Sequence, residues 1–402
     1  MAPISNGLTF DLPNYVGELF SLTPADTPFV SMIGGMTGGR PVTSKEFTWQ
    51  TVDNAAAAQS AALEGDDPTY AERARTEVKN VCQIFQYGVQ ISYTKQAATG
   101  QLGDGAGTPV LAATSIIGNQ PVQDEAAFQM QLKIERAARD MEYTFLNGTF
   151  AQPNDNATAR KTRGIITATT TNATVASSAV PGTQSFDFTG GASEDLWTST
   201  VAHGLSVGDE IRFTALTNGD PYVTGTSYWV VAVPSSTTYQ LSATKGGSVL
   251  EGTADGSAGT AVQSATLSEA NLGDTMQAMY DNGAPFRNVV LFVNSHNKRA
   301  ISDVWGYAPD SRSVGGVNIL DIETDFGRLG VVLDRHVPAD TILLADLSVC
   351  APRFLTIPGK GHFFSEPLAQ SGAAWKMQLY GEVGLEYGPE IWHGKITGLT
   401  SD

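Results

Sequence analysis

Two cysteines stand in 402 residues, Cys82 and Cys350, with no second thiol near either. That spacing excludes a disulfide framework and a zinc site of closely spaced ligands, so both read as packed thiols. Charge is scarce as well, with Asp, Glu, Lys and Arg making up 16% of the chain against about 25% in an average globular protein. What charge there is lies on one side: 41 acidic against 24 basic residues, a net −17. Scattered Lys and Arg at that balance exclude tight binding to nucleic acid phosphates, which needs clustered cations. An acidic wall would instead let a confined polyanion move without sticking. No apolar run approaches the ~20 residues of a membrane helix. The N-terminus also lacks a basic stretch followed by an apolar one, so the chain is expected to be made and kept in the cytoplasm.

Catalytic signatures are missing too. His203, His296, His336, His362 and His393 fall at no metal-binding interval. There is no GxSxG elbow and no GxxxxGK[ST] phosphate loop. Asp325-Phe326-Gly327 copies a kinase tripeptide without the loops that make it work, and reads as a turn. The run GDGAGT lacks the flanking strand and helix of a dinucleotide site. Carboxylates at Glu64 to Pro68 (EGDDP) read as a solvated acidic tip before a cation site. No enzyme activity, catalytic residue, cofactor or metal is expected.

Present instead is a sequence of structural signals. In Ser21 to Gly35 (SLTPADTPFVSMIGG), two Thr-Pro pairs keep the backbone extended or turning, yet Phe29, Val30, Met32 and Ile33 are apolar and need a surface to cover. Glu46 to Asp53 alternates with period two, placing Phe47, Trp49 and Thr51 on one face of a strand. Its expected partner is Glu77 to Thr94, rich in Val, Ile, Phe and Tyr, across a long small-and-polar connection. This predicts a projecting two-stranded arm, marginal by itself and therefore laid on its own body or on another subunit.

Pro121 to Gly148 carries Ala127, Met130, Ile134, Ala137, Met141 and Phe145 at three- and four-residue steps, which predicts one long amphipathic helix of about 40 Å. From Val180 to Gln263, aromatic and β-branched clusters alternate with Gly and Pro turns, the spacing of a small sandwich or barrel. Helical patterning resumes at Leu267 with Ser268 as N-cap, and a buried strand follows at Val289 to Val293. The β segment therefore reads as an insertion into an α+β host.

In this order, SLTPADTPFVSMIGG, KEFTWQTVD, NVCQIFQYGVQISYT, ERAARDMEYTFLNGT and VVLFVNSHNKRAI resemble the major capsid proteins of tailed bacteriophages, of the Hong Kong 97 fold. The resemblance covers most of residues 15 to 180 and 265 to 400. It implies an N-terminal arm (1–45), an extended β-hairpin loop (46–94), and a peripheral domain with spine helix 121–148 leading into an axial domain (95–179). An inserted all-β sandwich or barrel domain (180–264) follows, and then the axial domain with return strands of the peripheral domain (265–402). It further implies a structural subunit forming hexamers and pentamers of an icosahedral virion shell around double-stranded DNA, without sequence-specific contact to it and without a membrane. A separate scaffolding protein, a portal and a decoration protein are the implied partners.

Subunit interfaces then become the functional site, and the expected assembly residues are Phe29, Val30, Met32, Ile33, Phe47, Trp49, Ile84, Phe85 and Tyr87. Two other readings share parts of the pattern. An encapsulin-like nanocompartment shell has the same fold and would enclose cargo enzymes, and a tail or receptor-binding protein could use the β module to hold carbohydrate. A glycan hydrolase would need Glu194 and Asp195, or Asp209 and Glu210, to face one cleft, whereas adjacent strand residues point to opposite faces.

Overall fold

The computed structural model describes residues 26–67, 70–94, 125–155, 157–187, 196–218, 220–252, 256–305, 311–314, 317–369 and 372–402. The described residues divide into two compact units, the larger within 26–83, 141–355 and 383–402 and the smaller within 84–94, 125–140 and 356–382.

The centre of the larger unit is a mixed seven-stranded sheet. Its strand order is Ser311–Val314, Val317–Thr324, Gly327–Leu333, Val289–Val293, Ile342–Asp346, Gly394–Thr397 and Ala173–Val175. Val289–Val293 (VVLFV) and Ile342–Asp346 (ILLAD) are buried at every position. That is what an unbroken apolar strand needs: cover on both faces. Helix Glu269–Asp281 supplies part of it, packing Leu272, Met276 and Met279 onto Leu291, Leu344 and Ile396. Ser268 caps this helix through the N–H of Asn271, as its sequence predicts. Toward the opposite face, the ring of Phe29 meets Phe292 edge-on at 5.3 Å.

Within the same unit, residues 178–263 close into a six-stranded barrel. The ring runs Gly256–Gln263, Gln184–Asp187, Leu196–Ser199, Thr238–Ser242, Ser227–Ser235, Glu210–Asn218 and back to Gly256–Gln263, with Ser178–Ala179 added outside it. The interior is aromatic: Trp197 stacks on Phe213 at 4.2 Å, and Phe186, Tyr222, Tyr228 and Tyr239 fill the remainder. Closure removes the edges that an isolated β module would leave open.

The smaller unit contains strand Gln83–Ser92 from Ile84 onward and the first part of strand Ala374–Glu386, which pair. Phe363–Pro367 pairs antiparallel with residues 377–381 on that strand. Helix Glu125–Asn147 belongs to this unit as far as Asp140. Its predicted apolar stripe is only half used: Ala137, Met141 and Phe145 are fully buried, whereas Ala127 and Ile134 are exposed, Ile134 by 43%.

Two further differences from the sequence reading have local causes. Segment 28–32 is not extended throughout, because Pro28 starts one turn of helix, Pro28–Met32, while Thr27 before it stays non-helical. Proline at the first helical position loses no intrahelical hydrogen bond. The expected return strand 77–94 is two strands that break at Cys82, whose N–H bonds Lys45 O at 2.8 Å and closes the hairpin ladder there.

Candidate assembly surfaces and their anchors

The hairpin Glu46–Val52/Arg75–Val81 is firm at its foot and free beyond it. Alternation puts Phe47 inside at 8% exposure and Trp49 beside it. Trp49 Nε1 donates to Gly388 O at 2.9 Å, and its ring lies edge-on to Tyr387 at 4.9 Å. Asn80, fully buried, donates to Leu385 O (2.7 Å) and Arg163 O (3.1 Å) and accepts from Arg163 N (2.9 Å). Glu46 accepts a close hydrogen bond from Gln152 and pairs with Lys79 at 3.2 Å. Those two partners, Gln152 first, hold its carboxyl below the usual range. From residue 52 to residue 77 every described position is exposed, with Leu63 at 80% and Tyr70 at 89%.

Segment Asp26–Ile33 is tied down by a second anchor. Phe29, Val30 and Ile33 are buried, and Met32 is half-buried. The two oxygens of Glu142 accept the N–H groups of Phe29 and Val30, each at 2.7 Å. Glu142 is fully buried, and desolvation followed by the neighbouring Asp334 carboxyl holds its own carboxyl well above the ordinary range. Asp26 adds an exposed pair with Arg335 at 3.0 Å.

In the smaller unit, Phe85, Val89 and Ile91 point inward and Ile84, Gln86, Gly88 and Gln90 outward. Tyr87 donates to Asp140 Oδ2 at 2.7 Å, and Arg136 lies over its ring at 5.6 Å. Burial, then Asp140, pushes the phenol pKa upward. The outward face of Gln83–Ser92 carries no charged side chain.

The barrel is fastened to the larger unit's body through Arg212, whose guanidinium donates to Asp340 closely and to Leu399 O at 3.3 Å. Glu210, 2% exposed, accepts from Ser401 N (2.7 Å) and Ser401 Oγ (2.9 Å). Asp209 accepts from Ser206 N at 2.7 Å and closes a turn. These two acids hold structure and share no cleft; Glu194 and Asp195 lie outside the described residues. A cavity of about 520 Å³ in the larger unit is lined by Val78, Phe150, Arg163, Tyr387 and Glu390. Arg163 lies over Phe150 at 4.8 Å.

A family model described as SU10 major capsid protein matches residues 2–400. The chain belongs to that major capsid protein family. Among solved structures it is similar to the capsid of cyanophage A-1(L), with a TM-score of 0.50 and 11% identity over 97% of this chain and 98% of that one. The capsid of Myoviridae phage XM1 gives 0.49 at 11% identity, over 98% and 100%. The SrpI encapsulin complex of Synechococcus elongatus gives 0.49 at 8%, over 97% and 93%. At these identities the likeness to the A-1(L) capsid shows a shared fold. No curated protein sequence matches the chain.

For this capsid protein, the nine expected assembly residues divide by burial. Phe29, Val30, Ile33, Phe47 and Phe85 spend their surface inside the chain's own core; Met32, Trp49 and Tyr87 are partly covered; Ile84 stays 44% exposed. Sequence reasoning did not single out Glu142, Asp334, Asn80, Arg212 or Asp340, and named Glu210 only as half of a hydrolase pair. Glu142 had one available signal, an acid set directly beside Met141 on the buried side of an amphipathic helix.

Proposed function

We infer that this capsid protein is the shell subunit of a tailed phage, assembling as hexamers and pentamers into an icosahedral capsid around double-stranded DNA. The match of residues 2–400 to the capsid family carries this reading. Residues 1–45 act as the N-terminal arm, 46–94 as the extended loop, 95–179 as the peripheral domain with its spine helix, and 265–402 as the axial domain with returning strands. The barrel within 180–264 faces outward, for stability or for binding a decoration protein.

The subunit works by contact and carries out no catalysis. Its contacts are made by the exposed hairpin beyond Val52, by Ile84 and the uncharged face around it, and by the exposed start of the long helix at Leu132 and Ile134. Supporting this, the hairpin beyond its foot offers large apolar side chains to solvent, which a lone subunit gains nothing from. Assembly takes place in the host cytoplasm with a separate scaffolding protein and a portal, and the net charge of −17 keeps packaged DNA from adhering to the wall.

Negative-stain electron microscopy of the protein expressed alone and with its neighbouring genes tests the reading. Closed shells, or rings of five and six, are expected. A persistent monomer in both preparations rejects it, and shells filled with an enzyme cargo would instead make it a nanocompartment.

A further inference from the structure

Glu142 and Asp334 stand in contact, fully buried and 1% exposed. Both oxygens of Glu142 are occupied by the amides of Phe29 and Val30. Asp334 Oδ1 accepts the His336 N–H at 2.8 Å, and its Oδ2 is buried without a hydrogen-bond partner. Two ionised carboxylates meeting at that depth would repel, and an orphaned buried oxygen is itself unfavourable. One hydrogen resolves both problems, because a protonated carboxyl is a donor and its neighbour an acceptor.

We propose that Glu142 and Asp334 together form a proton-binding site, and that the single shared proton locks segment Asp26–Ile33 onto helix Glu125–Asn147. When the proton leaves, two buried negative charges face each other behind the Phe29 and Val30 amides, and the segment is released. No other described charge stands ready to compensate. Asp26 and Arg335 are paired with each other. The ring of His336 lies edge-on to Tyr143 at 6.4 Å. Lys298, on the helix after Val289–Val293, is lowered to about 8 by burial alone and draws no interaction from the pair. The lock needs one chain only, so it stands or falls apart from the assembly reading.

The sign follows from linkage. Folded Glu142 holds its proton more tightly than an ordinary glutamate at 4.5, so the lock is fully present below that value and is lost as pH rises through the folded group's own value. Hydrogen exchange by mass spectrometry on the full chain, corrected for intrinsic rates, reads it at residues 26–33 from pH 4.5 to 8.5. Protection of that segment is expected to fall by up to about tenfold per pH unit inside the window. Asp334→Asn supplies a permanent amide donor to Glu142, so the slope should vanish while protection remains; His336→Gln should leave the slope intact.

A flat wild-type profile, or the same slope in Asp334→Asn, overturns the proposal. So does a slope abolished by a chelator, which would assign the site to a metal cation. Should Asp334→Asn fail to fold, the infrared carbonyl band of a protonated buried carboxyl in the wild type at pH 6 decides; its absence is equally fatal.

Discussion

Gly384 lies where a side chain cannot go: a Cβ there would sit 2.5 Å from the Phe47 ring and 2.7 Å from Val81 O. Gly384→Ala should therefore destabilise by about 2 kcal/mol through overpacking at the hairpin foot, measured by urea unfolding. Asn80→Ala should cost about 3 kcal/mol, since it strips partners from buried groups of Leu385 and Arg163 together. His393 makes a prediction of the opposite pH sign to the carboxyl pair. It is fully buried, with Nδ1 accepting from Asp346 N (3.1 Å) and Nε2 bonded to Tyr387 O (2.6 Å), and burial lowers its pKa. The unfolded chain then binds that proton more readily, so stability should decline as pH drops below about 6.5, a fall visible in thermal melts between pH 7 and 5. None of these roles was legible locally, because Gly384 and Asn80 acquire their partners from residues far away in the chain, and so does His393 at Nδ1.

Elements were more readable than sites. The alternation in Glu46–Val52 and the three-to-four spacing in Glu125–Asn147 express themselves directly in which side chains are buried. Where that reading failed, the surroundings decided: Cys82 is taken by Lys45 O and ends the ladder, and Ala127 and Ile134 of the helix stripe stay exposed among the described residues. The hairpin divides into a foot that belongs to the fold and a reach that does not. Replacing residues 53–74 by a two-residue Asn-Gly turn should thus change the stability of the lone subunit, read from urea unfolding, by ~1 kcal/mol or less, as for other surface changes. Under the assembly reading the same change abolishes shells in electron micrographs.

Across the whole molecule, the barrel is an excursion from adjacent points. Ala176 N donates to Thr397 O at 2.8 Å and Ala265 N to Gly398 O at 3.1 Å, so the two ends of the insertion meet consecutive residues of one strand end. Deleting 178–263 with a short Gly-Ser bridge should leave a folded body by circular dichroism, less the Arg212–Asp340 and Glu210–Ser401 ties; under the proposed outward placement of the barrel, the shells should lack surface knobs. The sequence by itself determined the mixed helix-and-sheet content, the long helix, the hairpin strand and the β-rich run between Val180 and Gln263, because hydrophobic period and turn chemistry are local properties of the chain. Only the tertiary structure decided that the segment closes into a barrel, that Phe29 and Phe47 turn inward, and that Glu142 meets Asp334. Those outcomes depend on which surfaces come together across a hundred residues or more, and no local period records that.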